Sequence, residues 1–418
     1  MDLAQISVAA LVIAILVSCF TRLNVGLLSI AFAWIIGVYL GGMSVREVTS
    51  GFPVGLFLTL AGVTMLFSQA QVNGTLERVA KHAVLLCRGH RGFVPIMFFV
   101  LAATLASVGP GNIATAALLA PMAMAAAGRA GIPLFLMAIM VGNGASAGAL
   151  SPIAPTGVIV NNIMPGIGMP GRELATFLNN ALGHSVIAFT GYFVLGGWKL
   201  FLHGGRTPDR VQGGPSADDL PQPFETRHWI TLAVILSLIV SVIFFQVDVG
   251  MGAFACVVIL ALFRAADHQE SVKRMPWAVI MMVSGVTVLI TLLSKTEGLD
   301  LFVSLLARLT SVSTATFVSA FVTGLISVYS STSAVVLPAF LPTIPGLVET
   351  LGGGDPFAIA SSMNVGAHLV DVSPLSTTGA MCLAGVSSAD DIRPLFNKLL
   401  AWGLSMTVVG AVTCYILF

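Results

Sequence analysis

The chain has 418 residues, of which 56% are hydrophobic and 9% are charged, and its formal net charge is +1. A soluble domain carries roughly 25% charged residues, so this composition excludes an ordinary soluble domain and indicates a multi-pass membrane protein. The small net charge provides no basic surface for nucleic acid. The five scattered cysteines have no spacing typical of a metal site or a disulfide framework. We therefore expect an all-α membrane protein without a nucleic-acid partner.

The first half of the chain contains apolar runs of about the ~20 residues that cross a bilayer. A basic amphipathic segment at 76–91 is predicted to be a helix in the membrane interface. The apolar residues 93–128 are interrupted by Gly109-Pro110-Gly111-Asn112, and their short arms favour a re-entrant hairpin of two half-helices. The predicted spans of this half lie at 5–21, 25–42, 54–71, 132–162 (a broken helix) and 176–200.

The second half repeats this order after a polar linker at 203–228, which is rich in Gly, Pro and Asp and is expected to be flexible. Its segments are spans at 229–245, 249–264 and 277–294, an amphipathic helix at 296–309, a hairpin at 313–348, a broken helix at 355–386 and a last span at 396–418. An offset of 222 pairs Gly144 with Gly366, Ser151 with Ser373 and Thr156 with Thr378. The repeat predicts two domains, 1–202 and 229–418.

Each half then has five crossings and one hairpin, and an odd number of crossings inverts the second repeat relative to the first. In this topology fifteen of the 19 basic residues lie on one side, which the positive-inside rule makes cytoplasmic. The linker is then cytoplasmic, and both termini lie outside a bacterial-type inner membrane. A twelve-span topology, in which every hairpin arm crosses, puts the same loops on the same sides. The short arms favour ten spans and two hairpins.

Cysteine labelling tests this orientation. In a cysteine-free background, Ser216→Cys in the linker should react with an impermeant maleimide only after the cells are opened. Ser311→Cys, before the second hairpin, is the matched control and should react in intact cells. Labelling of Ser216→Cys in intact cells would refute the orientation.

Small, polar, helix-breaking residues recur at matching places in the two halves, which points to the binding site of a transporter. Helix N-termini at such breaks attract anions, and carbonyl ends with Ser, Thr and Asn oxygens suit a hard cation. We expect no catalytic residue and no metal other than a coupling sodium ion. The residues expected to bind substrate are Asn112, Ser151, Thr156, Ser331, Thr332, Ser373, Thr377 and Thr378. Those expected to bind a cation are Gly109, Asn112, Asn143, Ser331, Asn364, Asp371 and Ser376.

Asp371 is the sole acidic residue deep in a predicted span, and its repeat partner is Ala149. An intramembrane carboxylate predicts a functional role, here cation binding or proton transfer. The alternative is that Asp371 only stabilises the unwound segment. His368 and His184 are interpreted as packing or hydrogen-bonding residues, with direct function as the alternative. No Lys or Arg lies in a span core, so an anionic substrate would need co-bound sodium ions or protons. No other cofactor is expected.

The stretches NVGLLSIAFAWIIGVYLGGMSVREVTSGFP (24–53) and LFLTLAGVTMLFSQAQVNGTLERVA (56–80) resemble the N-terminal part of the MatC dicarboxylate carrier family. The hairpins and broken helices resemble the wider ion transporter superfamily, which includes the divalent-anion/sodium symporters. The resemblance implies import of malonate or a C4-dicarboxylate by cation symport. It also implies an elevator mechanism, in which hairpins and broken helices move against a homodimeric scaffold.

In those symporters each hairpin tip carries a Ser-Asn-Thr motif that binds sodium and a carboxylate. Here the first tip reads Gly111-Asn112-Ile113 and keeps only the Asn, whereas the second reads Ser331-Thr332-Ser333 and has no Asn. The resemblance therefore carries over Asn112, Ser331 and Thr332 as tip residues. Three alternatives remain open: a transporter of another organic or inorganic anion, an intramembrane enzyme, and an ion channel. An enzyme would need Ser and His or paired Asp in its spans, and Asp371 has no second membrane Asp.

Overall fold

The computed structural model describes residues 2–21, 23–86, 91–203, 223–386 and 389–418, and in these ranges the regular structure is entirely helical. This confirms the predicted all-α class. Most of the predicted linker at 203–228, and the end of the amphipathic segment at 76–91, lie outside the described residues.

The first half follows the predicted order of spans, hairpin and broken helix. A π-helical turn at Ile35–Leu40 extends the second helix, and a 3₁₀ turn at Met164–Ile167 extends the ninth. The helices are α1 Leu3–Phe20, α2 Val25–Trp34, α3 Val45–Thr49, α4 Val54–Val72, α5 Thr75–Leu86, α6 Phe93–Val108, α7 Gly111–Ala130, α8 Leu134–Ala147, α9 Pro155–Ile163, α10 Glu173–Val194 and α11 Lys199–His203.

The second half repeats this order of helices, and the repeat includes the short ones. α14 (His268–Arg274) corresponds to α3, and α16 (Gly298–Ala307) corresponds to α5. The first residues of α8 and α20, Leu134 and Pro356, are 222 positions apart, as are those of α9 and α21, Pro155 and Thr377. The helices are α12 Thr226–Phe245, α13 Val249–Leu262, α14 His268–Arg274, α15 Trp277–Lys295, α16 Gly298–Ala307, α17 Ala315–Ser327, α18 Leu337–Phe340, α19 Ile344–Leu351, α20 Pro356–Leu369, α21 Thr377–Ala384 and α22 Ala389–Leu417.

Within the described residues, six helical segments are long and apolar enough to cross a membrane: Val54–Val72, Gly111–Ala130, Thr226–Phe245, Trp277–Lys295, Thr332–Leu351 and Asp391–Leu417. α16 and the segment Val312–Ser327 pass the same test as a pair bent by 89°. The second arm of each hairpin is longer than the sequence indicates, since Gly111–Ala130 and Thr332–Leu351 each have 20 residues. The helical path continues past Pro121 in the first hairpin. Ten spans with two hairpins therefore remains a prediction.

The two halves interlock through two matching pairs of helices. α2 packs against α15, which is the counterpart of α4, and α4 packs against α13, which is the counterpart of α2. A Cβ atom on Gly285 would overlap the carbonyl oxygen of Gly26, and one on Gly62 would lie 2.6 Å from the carbonyl oxygen of Gly250. Small residues at these crossings let the backbones touch, which is how membrane helices gain packing energy.

Gly62→Ala should therefore destabilise the fold, because overpacking a tight contact costs about 1–3 kcal/mol. Gly55→Ala on the same helix is the matched control, since a Cβ there meets no atom within 4 Å. We expect the melting temperature of purified protein to fall for Gly62→Ala and to be unchanged or slightly raised for Gly55→Ala. Equal melting temperatures in the two variants would contradict the close crossing.

Candidate functional site

Both broken helices are interrupted by a short segment whose backbone packs against the first turn of the following helix. The break in the first half covers 148–154, between α8 and α9, and the break in the second covers 370–376, between α20 and α21. A Cβ at Gly157 would overlap the carbonyl oxygen of Ser151, and one at Gly379 would overlap that of Ser373. This contact explains why a glycine recurs at 157 and 379 in the two halves.

A cavity of about 200 Å³ lies where the two hairpin tips meet the second break. Tyr329 and Leu375, 49% and 48% exposed, lie at its rim, whereas Asn112, Thr332 and Asp371 are buried. None of the twelve lining residues is a Lys or an Arg. The lining consists of Asn112, Ile113, Tyr329, Ser330, Ser331, Thr332, Ser333, Asp371, Leu375, Ser376, Thr377 and Thr378.

Three helical N-termini meet at this cavity. Asn112 and Ile113 belong to the first turn of α7, Thr332 and Ser333 begin the π-helical turn Thr332–Val336, and Thr377 and Thr378 begin α21. The first N–H groups of a helix have no intrahelical acceptor and carry partial positive charge. Backbone dipoles and hydroxyl groups, with no cationic side chain, therefore make this cavity attractive to an anion.

Asp371 places a carboxyl group among these N-termini. Its Oδ1 accepts hydrogen bonds from Thr332 Oγ1 at 2.8 Å and from Ser376 Oγ at 3.2 Å, and its side chain is 6% exposed. Thr332 Oγ1 also lies 3.0 Å from Ser327 Oγ and 3.2 Å from the carbonyl oxygen of Ala367. These hydrogen bonds of the Thr332 hydroxyl connect the second hairpin tip to the second break. A carboxylate so close to an anion site needs a proton or a cation beside it.

Seven residues predicted from the sequence line the cavity together: Asn112, Ser331, Thr332, Asp371, Ser376, Thr377 and Thr378. The other predicted residues do not line it: Gly109, Asn143, Ser151, Thr156, Asn364 and Ser373. Ser151 Oγ instead donates to the carbonyl oxygen of Ser107 at 2.7 Å, which pins the first break to the first hairpin. Gly109 lies against the ring of Phe67. The first break thus contributes no lining residue, and the cavity belongs mainly to the second half.

Asn143 and Asn364 lie in a separate buried region. Asn143 contacts His184, with 2.9 Å between Asn143 Oδ1 and His184 Nδ1, and Asn364 neighbours His368. This region therefore provides no ligand to the cavity.

Five lining residues were not predicted from the sequence: Ile113, Tyr329, Ser330, Ser333 and Leu375. Four of these directly neighbour an assigned tip or break residue, and Tyr329 begins the polar run at the second tip. Including the one or two residues on either side of each predicted tip or break residue would have identified all five.

The sequence of Gly144–Gly148 matches the G-x-S-x-G motif, which in hydrolases places a serine on a turn between a strand and a helix. Here Ser146 lies inside α8 and is fully buried, and its Oγ has no hydrogen-bond partner among the described residues. The segment therefore does not form a nucleophile elbow.

Comparison with known proteins agrees with this architecture. Residues 1–149 match the family model described as the N-terminus of the dicarboxylate carrier protein MatC. No curated protein matches the chain in sequence. The fold is similar to that of MtrF from Neisseria gonorrhoeae, described within a class of antimetabolite efflux pumps. The TM-score is 0.61 with 13% identity over 100% of this chain and 95% of that one.

A second structure of similar fold is the YdaH transporter of Alcanivorax borkumensis, with a TM-score of 0.53 and 17% identity over 91% of this chain and 88% of that one. Identities this low establish the fold only. The resemblance seen in 24–80 is confirmed and extends through residue 149. The chain is a multi-pass membrane protein whose fold is that of solved transporter structures, and its first 149 residues match the family model for the N-terminus of the dicarboxylate carrier protein MatC.

Proposed function

We propose that the protein is a secondary active transporter that imports a small dicarboxylate, of the malonate or C4 class, together with a cation. The observation that carries this proposal is the convergence of three helical N-termini on a cavity without Lys or Arg. Such a site binds carboxylates through backbone N–H groups and hydroxyls.

The size of the cavity favours a small substrate. A volume of about 200 Å³ lies below the roughly 300–1,000 Å³ of pockets for drug-sized ligands. A three- or four-carbon dicarboxylate fits this space, with one carboxylate at the Asn112 tip and the other at the tip of Thr332 and Ser333. The match to a dicarboxylate carrier family over 1–149 supports the same substrate class.

The coupling cation is proposed to bind at Asp371. The carboxyl group, Ser331, Ser376 and Asn112 all line the cavity and provide oxygen ligands suited to sodium, and the carboxylate can also accept a proton. A cation here would cancel the repulsion between Asp371 and a dianionic substrate. Binding of the two would then be mutually dependent, which is the thermodynamic basis of symport.

Elevator transport by a homodimer in the lipid bilayer is the mechanism we propose. α6, α7, α8, α10, α17, α20, α21 and α22 pack mainly on one another and carry most of the cavity. α9 packs mainly on α4 and α19 on α16, and α2, α4, α13 and α15 form the interlocked crossings. The first group can move as a unit relative to the second and carry the substrate with it. In this proposal the chain is a carrier and catalyses no reaction.

Ligand-dependent thermal stabilisation tests the proposal. Purified protein should melt at a higher temperature with malonate or succinate, and more so with sodium or at lower pH. A ligand at 100 times its Kd stabilises by about 2.7 kcal/mol. Citrate and inorganic sulfate probe the alternative anions. No stabilisation by any dicarboxylate under any cation condition would refute the assignment.

A further inference from the structure

A second polar region, separate from the cavity, lies where α8, α10 and α20 meet. Each helix contributes residues spaced three or four positions apart, which places them on one face. These residues are Asn143 and Ser146 on α8, Asn180 and His184 on α10, and Asn364 and His368 on α20. All six are at most 1% exposed. The centroids of the two imidazole rings are 6.4 Å apart, with an angle of 73° between the ring planes.

The hydrogen bonds fix the tautomer of both histidines. His368 Nδ1 lies 2.8 Å from the carbonyl oxygen of Asn364, which can only accept, so this nitrogen carries a hydrogen. Asn143 donates from Nδ2 to the carbonyl oxygen of Ile139 at 3.0 Å, and its Oδ1 therefore accepts from His184 Nδ1 at 2.9 Å. In the neutral state both Nε2 atoms thus carry a lone pair and act as acceptors.

These two acceptors have no donor among the described residues. His184 Nε2 and His368 Nε2 are buried without a hydrogen-bond partner, as are Asn180 Oδ1, Ser146 Oγ and both polar atoms of the Asn364 side chain. Buried polar groups in native proteins are nearly always satisfied, and each exception requires an explanation. These unpaired acceptors indicate a bound molecule that donates hydrogen bonds to them.

The distance between the two imidazole rings indicates the size of this bound molecule. Two imidazoles in a direct N–H···N hydrogen bond of about 2.9 Å have centroids about 5 Å apart. One water donating to both Nε2 atoms increases that separation to about 6 Å. With the two Nε2 atoms facing each other, a centroid separation of 6.4 Å leaves room for a single bridging oxygen atom.

We propose that His184 and His368 form a buried proton-binding site, in which one water bridges the two Nε2 atoms and a co-transported proton is held between them. The added proton bonds to one Nε2 lone pair and leaves to solvent on the other side of the membrane, and no other bond changes. Asn180 Oδ1 and Asn364 Oδ1 are available as acceptors for the charged form. This inference rests on the proposed carrier function and adds a proton to its coupling ions.

The site lies within the group of helices that carries the cavity. His368 is three residues before Asp371, about one helical turn. α20 also packs against α8, α10, α17 and α22. A proton held here would move with the substrate.

Other ionisable groups do not explain the pair. Four buried titratable groups occur on the described parts of the helices packed against it, one of them Cys382 on α21. Asp371 hydrogen bonds with Thr332 and Ser376, Cys414 Sγ lies 3.8 Å from the carbonyl oxygen of Ser362, and the Tyr192 hydroxyl donates to backbone carbonyl groups. Among the described side chains, the remaining charged groups on those helices are exposed or half-exposed: Arg129, Glu173, Glu349, Asp391, Arg393 and Lys398.

Histidine NMR tests the site without a substrate. Protein labelled with ¹⁵N-histidine is compared with His184→Asn and His368→Asn, whose amide nitrogen can replace the Nδ1 donor, to assign the two rings. At pH 8 both should be Nδ1–H tautomers with Nε2 as acceptor. On acidification one proton should bind per pair, and the signals of both rings should change together. Two rings that stay neutral over the whole pH range in which the protein is folded would overturn the proposal.

Transport in proteoliposomes provides the second readout. For the His184→Asn/His368→Asn double variant, the ratio of pH-gradient-driven malonate uptake to malonate counterflow should fall at least tenfold. His268→Asn, at an exposed histidine on α14, should keep the wild-type ratio. An unchanged ratio in the double variant would also refute the site. If no dicarboxylate binds at all, the substrate class fails while the NMR result still decides the histidine proposal.

Discussion

Replacing Asp371 with alanine should abolish cation-driven dicarboxylate uptake while leaving the protein folded. The carboxyl group is buried, and it accepts two hydroxyl hydrogen bonds at a cavity that has no cationic side chain. Without Asp371 the site retains its anion-attracting N-termini but loses its charged cation ligand. Loss of a hydrogen bond to a charged group costs about 1.5–3 kcal/mol, or roughly tenfold or more in affinity. Uptake in proteoliposomes at fixed sodium and pH measures the effect.

Asp371→Asn distinguishes the two coupling roles. If Asp371 carries a proton, this variant should lose pH-driven uptake but still exchange substrate. If Asp371 binds sodium, the variant should need more sodium for half-maximal uptake at constant pH. Asp300→Asn, an exposed acid in the first turn of α16, is the control and should behave as wild type. Normal sodium and pH dependence in both Asp371 variants would show that the residue is structural.

Thr332→Val should weaken substrate binding by about tenfold or more, because the substitution keeps the shape of the tip and removes its hydroxyl. Thr332 Oγ1 joins the second hairpin tip to Asp371 and lies beside Ser327 and the carbonyl oxygen of Ala367. A buried network that loses one member leaves the others unsatisfied, which costs roughly 1–3 kcal/mol. The half-saturating malonate concentration in uptake assays measures the loss.

Thr350→Val is the matched control for this substitution, since Thr350 lies in the same hairpin arm but is exposed and donates to the carbonyl oxygen of Gly346 in its own helix. Asn112→Ala tests the opposite tip in the same assay and should also impair uptake. Wild-type kinetics for both Thr332→Val and Asn112→Ala would exclude the tips as ligands.

The sequence predicted the architecture because its signals are local. Apolar runs of bilayer length and Gly-Pro interruptions indicate where helices begin and break, and each depends on a few neighbouring residues. A constant offset of 222 shows that these local signals recur in the second half. The same local signals predicted that the polar residues of the second break belong to the site. Asp371 stood out because an acid inside a span is costly and needs a reason.

Which polar residues share a cavity could not be read from the sequence. Ser151 and Ser376 look alike as hydroxyls at broken helices, yet one bonds to the carbonyl oxygen of Ser107 and the other to Asp371. The choice depends on how each break packs against its own hairpin tip. Asn143 pairs with His184, a residue 41 positions away, and no local pattern indicates this contact.

Counterflow of labelled malonate in proteoliposomes tests the central claim most directly. Vesicles loaded with unlabelled malonate should accumulate the labelled acid transiently, and unlabelled succinate outside should compete with it. Thr332→Val should reduce the signal and Thr350→Val should not. If wild-type protein of confirmed fold shows no counterflow with malonate or any C4-dicarboxylate, with or without sodium and from pH 5 to 8, the chain is not the dicarboxylate carrier proposed from this cavity.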